Sequence, residues 1–163
     1  MRAVVTGASS MIASALIRLL VSEGYEVFAL VRPNSKKLDN IIKSDSVHII
    51  EADVSDLISA KIKIGCDCDV LFHFAWGGTG GAMRNNAEIQ QKNVQYTLDA
   101  VELAKELNCK AFVGAGSQSE YGRVEGKLTP DTPCNPENEY GRAKLQAGEK
   151  SRQLAKSYGI KHV

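Results

Sequence analysis

The chain has 163 residues, 44% hydrophobic and 24% charged, with a net charge of +1. That length supports one domain with a core of its own, and the near-zero charge gives no footprint for nucleic acid or an anionic membrane surface. No apolar run reaches the roughly 20 residues of a membrane-spanning helix.

Residues 2–6 read as a short buried strand. Gly7, Ala8, Ser9 and Ser10 read as a tight turn, and residues 11–23 as a helix opening on Met11 and Ile12, with Leu16, Leu19 and Leu20 at helical spacing. Strand, glycine turn and helix in that order bring backbone N–H groups and a positive helix end to a place where a pyrophosphate can sit. Of the three glycines of the usual dinucleotide fingerprint only Gly7 is present; Ser10 and Ala13 hold the later positions, and both are small. Residues 26–32 and 47–53 read as the second and third strands, and residues 69–75 as a fourth, apolar throughout as a doubly covered central strand should be. The glycine run 77–81 after it is expected to be mobile, as a lid or a plain loop. A long helix over 86–107, ended by Asn108, precedes a fifth strand at 110–116. Pro130, Pro133 and Pro136 punctuate a loop between Tyr121 and Tyr140 that should fold over the crevice, and 160–163 looks like the opening of a sixth strand. Alternation of this kind implies a parallel sheet with helices on both faces and a ligand crevice at the carboxyl ends of its strands.

Tyr140 and Lys144 lie four apart, about one helical turn, so phenol and ammonium can share a helix face. A free tyrosine has a pKa near ~10, and a neighbouring cation lowers it, which equips the phenol to exchange a proton with a substrate hydroxyl. Ser117 upstream supplies a second hydrogen bond to the reacting oxygen. Together these residues describe alcohol–ketone chemistry beside a hydride carrier.

These motifs in order resemble the extended short-chain dehydrogenase/reductase family of NAD(P)-dependent sugar-nucleotide epimerases, dehydratases and reductases. The likeness rests on Thr6-Gly7-Ala8, Asp53-Val54, Phe72-His73-Phe74-Ala75, Asn93-Val94, Ser117 with Tyr121-Gly122, and Tyr140-Gly-Arg-Ala-Lys144. The resemblance implies an α/β, Rossmann-type doubly wound parallel sheet, with Ser117, Tyr140 and Lys144 catalytic. Gly7, Ser9, Ser10, Met11, Ile12, Arg32, Asp53, Val54, Phe74, Ala75, Trp76, Tyr140 and Lys144 would bind the cofactor. The family's serine stands four residues before the Tyr of a Tyr-Gly pair, which selects Ser117 over Ser119 and leaves Ser119 and Glu120 as local loop residues. Asn93 is a supporting residue and His73 a packed strand residue.

Family members preferring NAD carry an acid at the end of the second strand. Here Val31 stands there and Arg32 follows, with Lys36 and Lys37 near, so NADP is favoured and NAD is the other choice. The family's dehydratases place an acidic pair directly after the serine or threonine. Gln118 and Ser119 occupy those positions, which leaves a 4-epimerase or a 4-ketosugar reductase acting on a nucleotide sugar. A non-catalytic NAD(P)-binding or redox-sensing module is the alternative, and a truncated remnant a third. The family continues well beyond this length, so residues 1–163 are expected to be a cofactor-binding domain that stops before the substrate-binding part. Family pairing through two helices would make the full protein a homodimer. The start enters a strand at once, leaving no room for a signal peptide, and the expected location is cytoplasmic. Cys66, Cys68, Cys109 and Cys134 lack zinc-type spacing and read as reduced structural thiols.

Overall fold

The computed structural model describes every residue except Pro130, so that part of the proline-punctuated loop lies outside the described residues. Six parallel strands form one sheet: β1 (Arg2–Thr6), β2 (Glu26–Val31), β3 (Val47–Glu51), β4 (Val70–His73), β5 (Ala111–Gly114) and β6 (Lys161–His162). Their order across the sheet is β3-β2-β1-β4-β5-β6. The order reverses between β1 and β4, where Thr6 pairs with Leu30 on one side and His73 on the other. Connections from these two strands leave in opposite directions and open a crevice at their carboxyl ends.

Adjacent residues of β1 supply both cores because side chains alternate across a strand. Val5 faces α1 (Met11–Ser22), packing with Ile17 and Leu20. Val4 faces α3 (Ala87–Glu106), packing with Val101, Leu103 and Leu107 together with Leu71 and Phe112. Each such fully buried aliphatic side chain contributes roughly 1.5–3 kcal/mol. α4 (Glu139–Ser157) lies beside α3, and its Ala143 and Ala147 meet Val94 and Trp76.

Helix starts follow from local side chains. Ser10 caps α1, Asn86 caps α3 through the Ile89 N–H at 3.0 Å, and Asn138 caps α4 through the Gly141 N–H at 2.7 Å. Asn108 follows α3 with φ +55°, as expected of a helix-ending asparagine.

The strands are shorter than the sequence suggests. Ladder pairing at the crevice ends after His73, because the Phe74 and Ala75 N–H groups both donate to the Thr6 hydroxyl at 3.2 Å. β4 is also not apolar throughout, since His73 is buried within it. A 3-10 turn (Val54–Ser59) and the short helix α2 (Ala60–Ile64) were not anticipated; Leu57, Ala60 and Ile64, buried at helical spacing, were their signal. Cys68 and Cys109 are buried in the core, and burial pushes each thiol up to about 12. No helix among the described residues is long and apolar enough to cross a membrane.

Candidate active site

The crevice has a volume of about 550 Å³. Gly7, Ser9, Ser10, Arg32, Asp53, Val54, Phe74, Ala75 and Trp76 line it, so nine of the residues singled out from the sequence meet there. Gly7 adopts φ +63°, and a Cβ on it would lie 2.8 Å from the Ala75 nitrogen, so the β1 turn must be bare to sit against the end of β4. Ser10 Oγ accepts the Ala13 N–H at 3.4 Å, and the Asn40 side chain holds the Ser9 carbonyl at 2.9 Å. Met11 and Ile12 do not line the crevice: their side chains are exposed, and only their backbone stands at the start of α1. Arg32 and Lys37 both border the crevice without a carboxylate partner among the described residues, whereas Lys36 does not border it. Asp53 Oδ1 accepts from the Ser55 N–H at 2.9 Å and the Ser55 hydroxyl at 2.6 Å, and these bonds hold its carboxyl below the usual range.

Trp76 joins this crevice to the Tyr140–Lys144 pair. The Tyr140 ring meets the indole edge-on at 6.0 Å between centroids, and Lys144 Nζ lies 3.8 Å from the indole centroid. The indole N–H donates to Gln90 Oε1 at 2.9 Å. Lys144 is buried and donates to the Ala115 carbonyl at 2.9 Å. Its burial lowers its pKa to about 8, and the Glu120 carboxylate opposes that fall. Ser117 begins a 3-10 turn (Gln118–Glu120), with its hydroxyl oxygen accepting the Ser119 N–H at 3.1 Å. That turn packs closely on the first turn of α4: a Cβ on Gly141 would sit 2.2 Å from the Ser119 carbonyl oxygen. Ser117, Tyr140 and Lys144 therefore come from two segments in direct contact.

Asn93 and Gln90 of α3 tie down the glycine run expected to be mobile. Asn93 Oδ1 accepts the Gly77 N–H at 2.8 Å and its amide donates to the Gly77 carbonyl at 2.9 Å. Gln90 donates to the Gly78 carbonyl at 2.8 Å. Beneath, His73 contacts the Thr6 hydroxyl through Nδ1 at 2.9 Å and Thr97 through Nε2 at 3.4 Å, and Thr97 donates to the Asn93 carbonyl at 2.9 Å. His73 is a packed residue, and burial lowers its pKa to about 3.

Two groups were not recognised from the sequence. Arg84 stacks on the Tyr140 ring at 4.3 Å and donates to Ser119 Oγ at 2.7 Å. Glu120 accepts the Ser117 N–H at 2.6 Å. Arg84 carries no local signal, since 35 residues separate it from Ser119; for Glu120 the Ser117-x-x-Glu120 capping spacing is one.

The profile of the NAD dependent epimerase/dehydratase family matches residues 3–163. The chain is 28% identical over 170 residues to UDP-glucose 4-epimerase of Lactobacillus helveticus, covering 100% of this chain and 50% of that protein. It is 27% identical over 166 residues to GDP-mannose 3,5-epimerase of Arabidopsis thaliana, covering 96% of this chain and 43% of that protein. A crystal structure of UDP-galactose 4-epimerase superposes with a TM-score of 0.85 at 27% identity, over 99% of this chain and 54% of that one. The chain spans about half the length of the curated relatives it matches. By the span of the family match, and with the doubly wound sheet and crevice that accompany it, this chain belongs to the NAD dependent epimerase/dehydratase family.

Proposed function

We propose that this chain supplies the dinucleotide-binding and proton-transfer part of an NAD(P)-dependent enzyme acting on a nucleotide sugar, as a 4-epimerase or a 4-ketosugar reductase. The observation that carries this is Trp76, which lines the glycine-turn crevice and packs against both Tyr140 and Lys144. The crevice fits a dinucleotide: its volume is that of a cofactor pocket, and the bare Gly7 turn leads into the start of α1. NAD(P), when bound, accepts or donates the hydride. Tyr140 takes the proton of the sugar hydroxyl as hydride leaves the same carbon, and returns it in the reverse direction. Ser117 already accepts a backbone N–H at its oxygen, so its own hydrogen is available to the reacting oxygen. Lys144, one helical turn after Tyr140 on α4, would supply the cation that favours the phenolate and would hold the nicotinamide ribose. Gln118 and Ser119, where dehydratases carry acids, favour the epimerase or reductase outcome. Arg32 and Lys37, unpaired at the crevice, favour NADP through a 2′-phosphate.

Trp76 is the only tryptophan, so its fluorescence reports on the site. Titration with NADPH and NADH should give saturable changes, tighter for NADPH. No change with either overturns the proposal. In the full-length protein Tyr140→Phe should abolish turnover and keep the binding curve; turnover in that variant removes Tyr140 from the mechanism, and binding without turnover in the unaltered protein favours a redox-sensing module.

A further inference from the structure

Glu120 bonds to one member of the candidate site and lines a cavity with another. Its carboxylate accepts the Ser117 N–H, while the Ser117 hydroxyl accepts the Ser119 N–H, a reciprocal capping box. A Cβ on Gly116 would lie only 3.4 Å from Glu120 Oε1, so the carboxylate is seated against the backbone leading into Ser117. The same side chain lines a small cavity of about 140 Å³ with Lys144, on the other side of Trp76.

Lys144 is desolvated there, and its direct partners, the Ala115 carbonyl and the indole face, are neutral. His73 of β4 also lines the cavity and is uncharged near neutral pH. Arg152 of α4 and His162 of β6 line it too, and Tyr140 stands one turn before Lys144 on α4. Among the described residues lining this cavity, Glu120 has the one side-chain carboxylate. A buried ammonium with only neutral or cationic neighbours loses its proton readily, and a facing carboxylate prevents that.

We propose that Glu120 is a positioning residue of this site, anchoring the Ser117 backbone and supplying the counter-charge that keeps Lys144 an ammonium. The proposal rests on the function proposed above, where Lys144 must be a cation beside Tyr140. It also gives a role to an acid three residues after the serine, in a chain that lacks the acidic pair directly after it.

Glu120→Gln tests it, because the amide oxygen can still accept the Ser117 N–H while the charge is gone. The probe is the NMR titration of ¹³Cε-lysine-labelled protein, with Lys144→Met identifying the Lys144 signal. In the unaltered protein the midpoint should lie near about 8. In Glu120→Gln it should fall by about one pH unit, and in Glu120→Asp, which keeps the charge, it should stay near the original value. An unchanged midpoint in Glu120→Gln overturns the proposal, as does an equal fall in Glu120→Asp. Should Glu120→Gln fail to fold, Glu120→Asp and a titration of the unaltered protein still decide: a Lys144 ¹³Cε shift with no inflection as Glu120 ionises at acid pH overturns it. Failure of NADPH and NADH to bind the unaltered chain defeats the proposed function instead, and is measured separately.

Discussion

Gly141→Ala and Gly148→Ala make the same chemical change in one helix and should move stability in opposite directions. A Cβ at Gly148 meets nothing within 4 Å, so alanine there should gain helix propensity worth about 1 kcal/mol. A Cβ at Gly141 would lie 2.2 Å from the Ser119 carbonyl oxygen and 2.9 Å from its carbon, against 3.4 Å for ordinary contact. Both are backbone atoms that cannot rotate aside, so α4 must lift off the Ser117–Glu120 segment. Overpacking of this kind costs roughly 1–3 kcal/mol, and so deep a contact belongs at the upper end. After the propensity gain a net loss of about 1–2 kcal/mol remains. For a domain of this size each kcal/mol moves Tm by about 2–4 °C. Gly148→Ala should therefore melt about 2–4 °C higher than the unaltered chain, and Gly141→Ala about 2–8 °C lower. Thermal and urea unfolding followed by circular dichroism measure both. Equal stability of the two variants would refute the close approach of α4 to Ser119 as the reason for glycine at 141.

Three further outcomes follow from charge. Lys144 has a pKa of about 8 in the fold against 10.5 for the free side chain, so the unfolded chain binds more protons between those values and stability rises with pH across that window. Below pH 8 the whole cost stands, roughly 3 kcal/mol, so Lys144→Met should be more stable at pH 7 by about 2 kcal/mol after loss of the Ala115 bond, with the advantage shrinking towards pH 10.5; an advantage constant with pH, read from urea midpoints, would contradict this. His73 falls to about 3 from 6.5, so its stability contribution is complete above pH 6.5 and is lost as pH falls towards 3. The unaltered chain should lose about 2 kcal/mol between pH 6.5 and 5 that His73→Asn does not, and parallel acid losses in urea unfolding would sink the assignment. Arg32→Glu should weaken NADPH about tenfold or more and leave NADH little changed, as judged by Trp76 fluorescence; equal losses would remove Arg32 from cofactor choice.

The sheet and its crevice were legible because buried β-strand runs, a glycine turn and amphipathic helices are local patterns. Gly7, Arg32, Asp53 and Phe74 could be placed at strand ends from sequence order alone. Strand lengths were not, because Thr6 captures the Phe74 and Ala75 amides from across the sheet. The glycine run after β4 reads as loose in composition, yet Asn93 and Gln90, on a helix that starts later in the chain, clamp it. Met11 and Ile12 fit the turn pattern, but α1 presents their side chains to solvent. Arg84 was invisible for the same reason that Thr6 was: its partners, Tyr140 and Ser119, are remote in sequence and meet only after the sheet closes.

The Thr6–His73–Thr97 contacts have a fixed polarity. The Phe74 and Ala75 amides can only give hydrogens, so the Thr6 oxygen receives both and its own hydrogen must point at His73 Nδ1. The imidazole hydrogen then resides on Nε2, aimed at the Thr97 oxygen, whose hydrogen goes to the Asn93 carbonyl. Reversing the Thr6–His73 link would leave one of the two amides without its acceptor. This series therefore fixes one tautomer of the imidazole where it borders the Lys144 cavity, with its Nε2 hydrogen committed to Thr97.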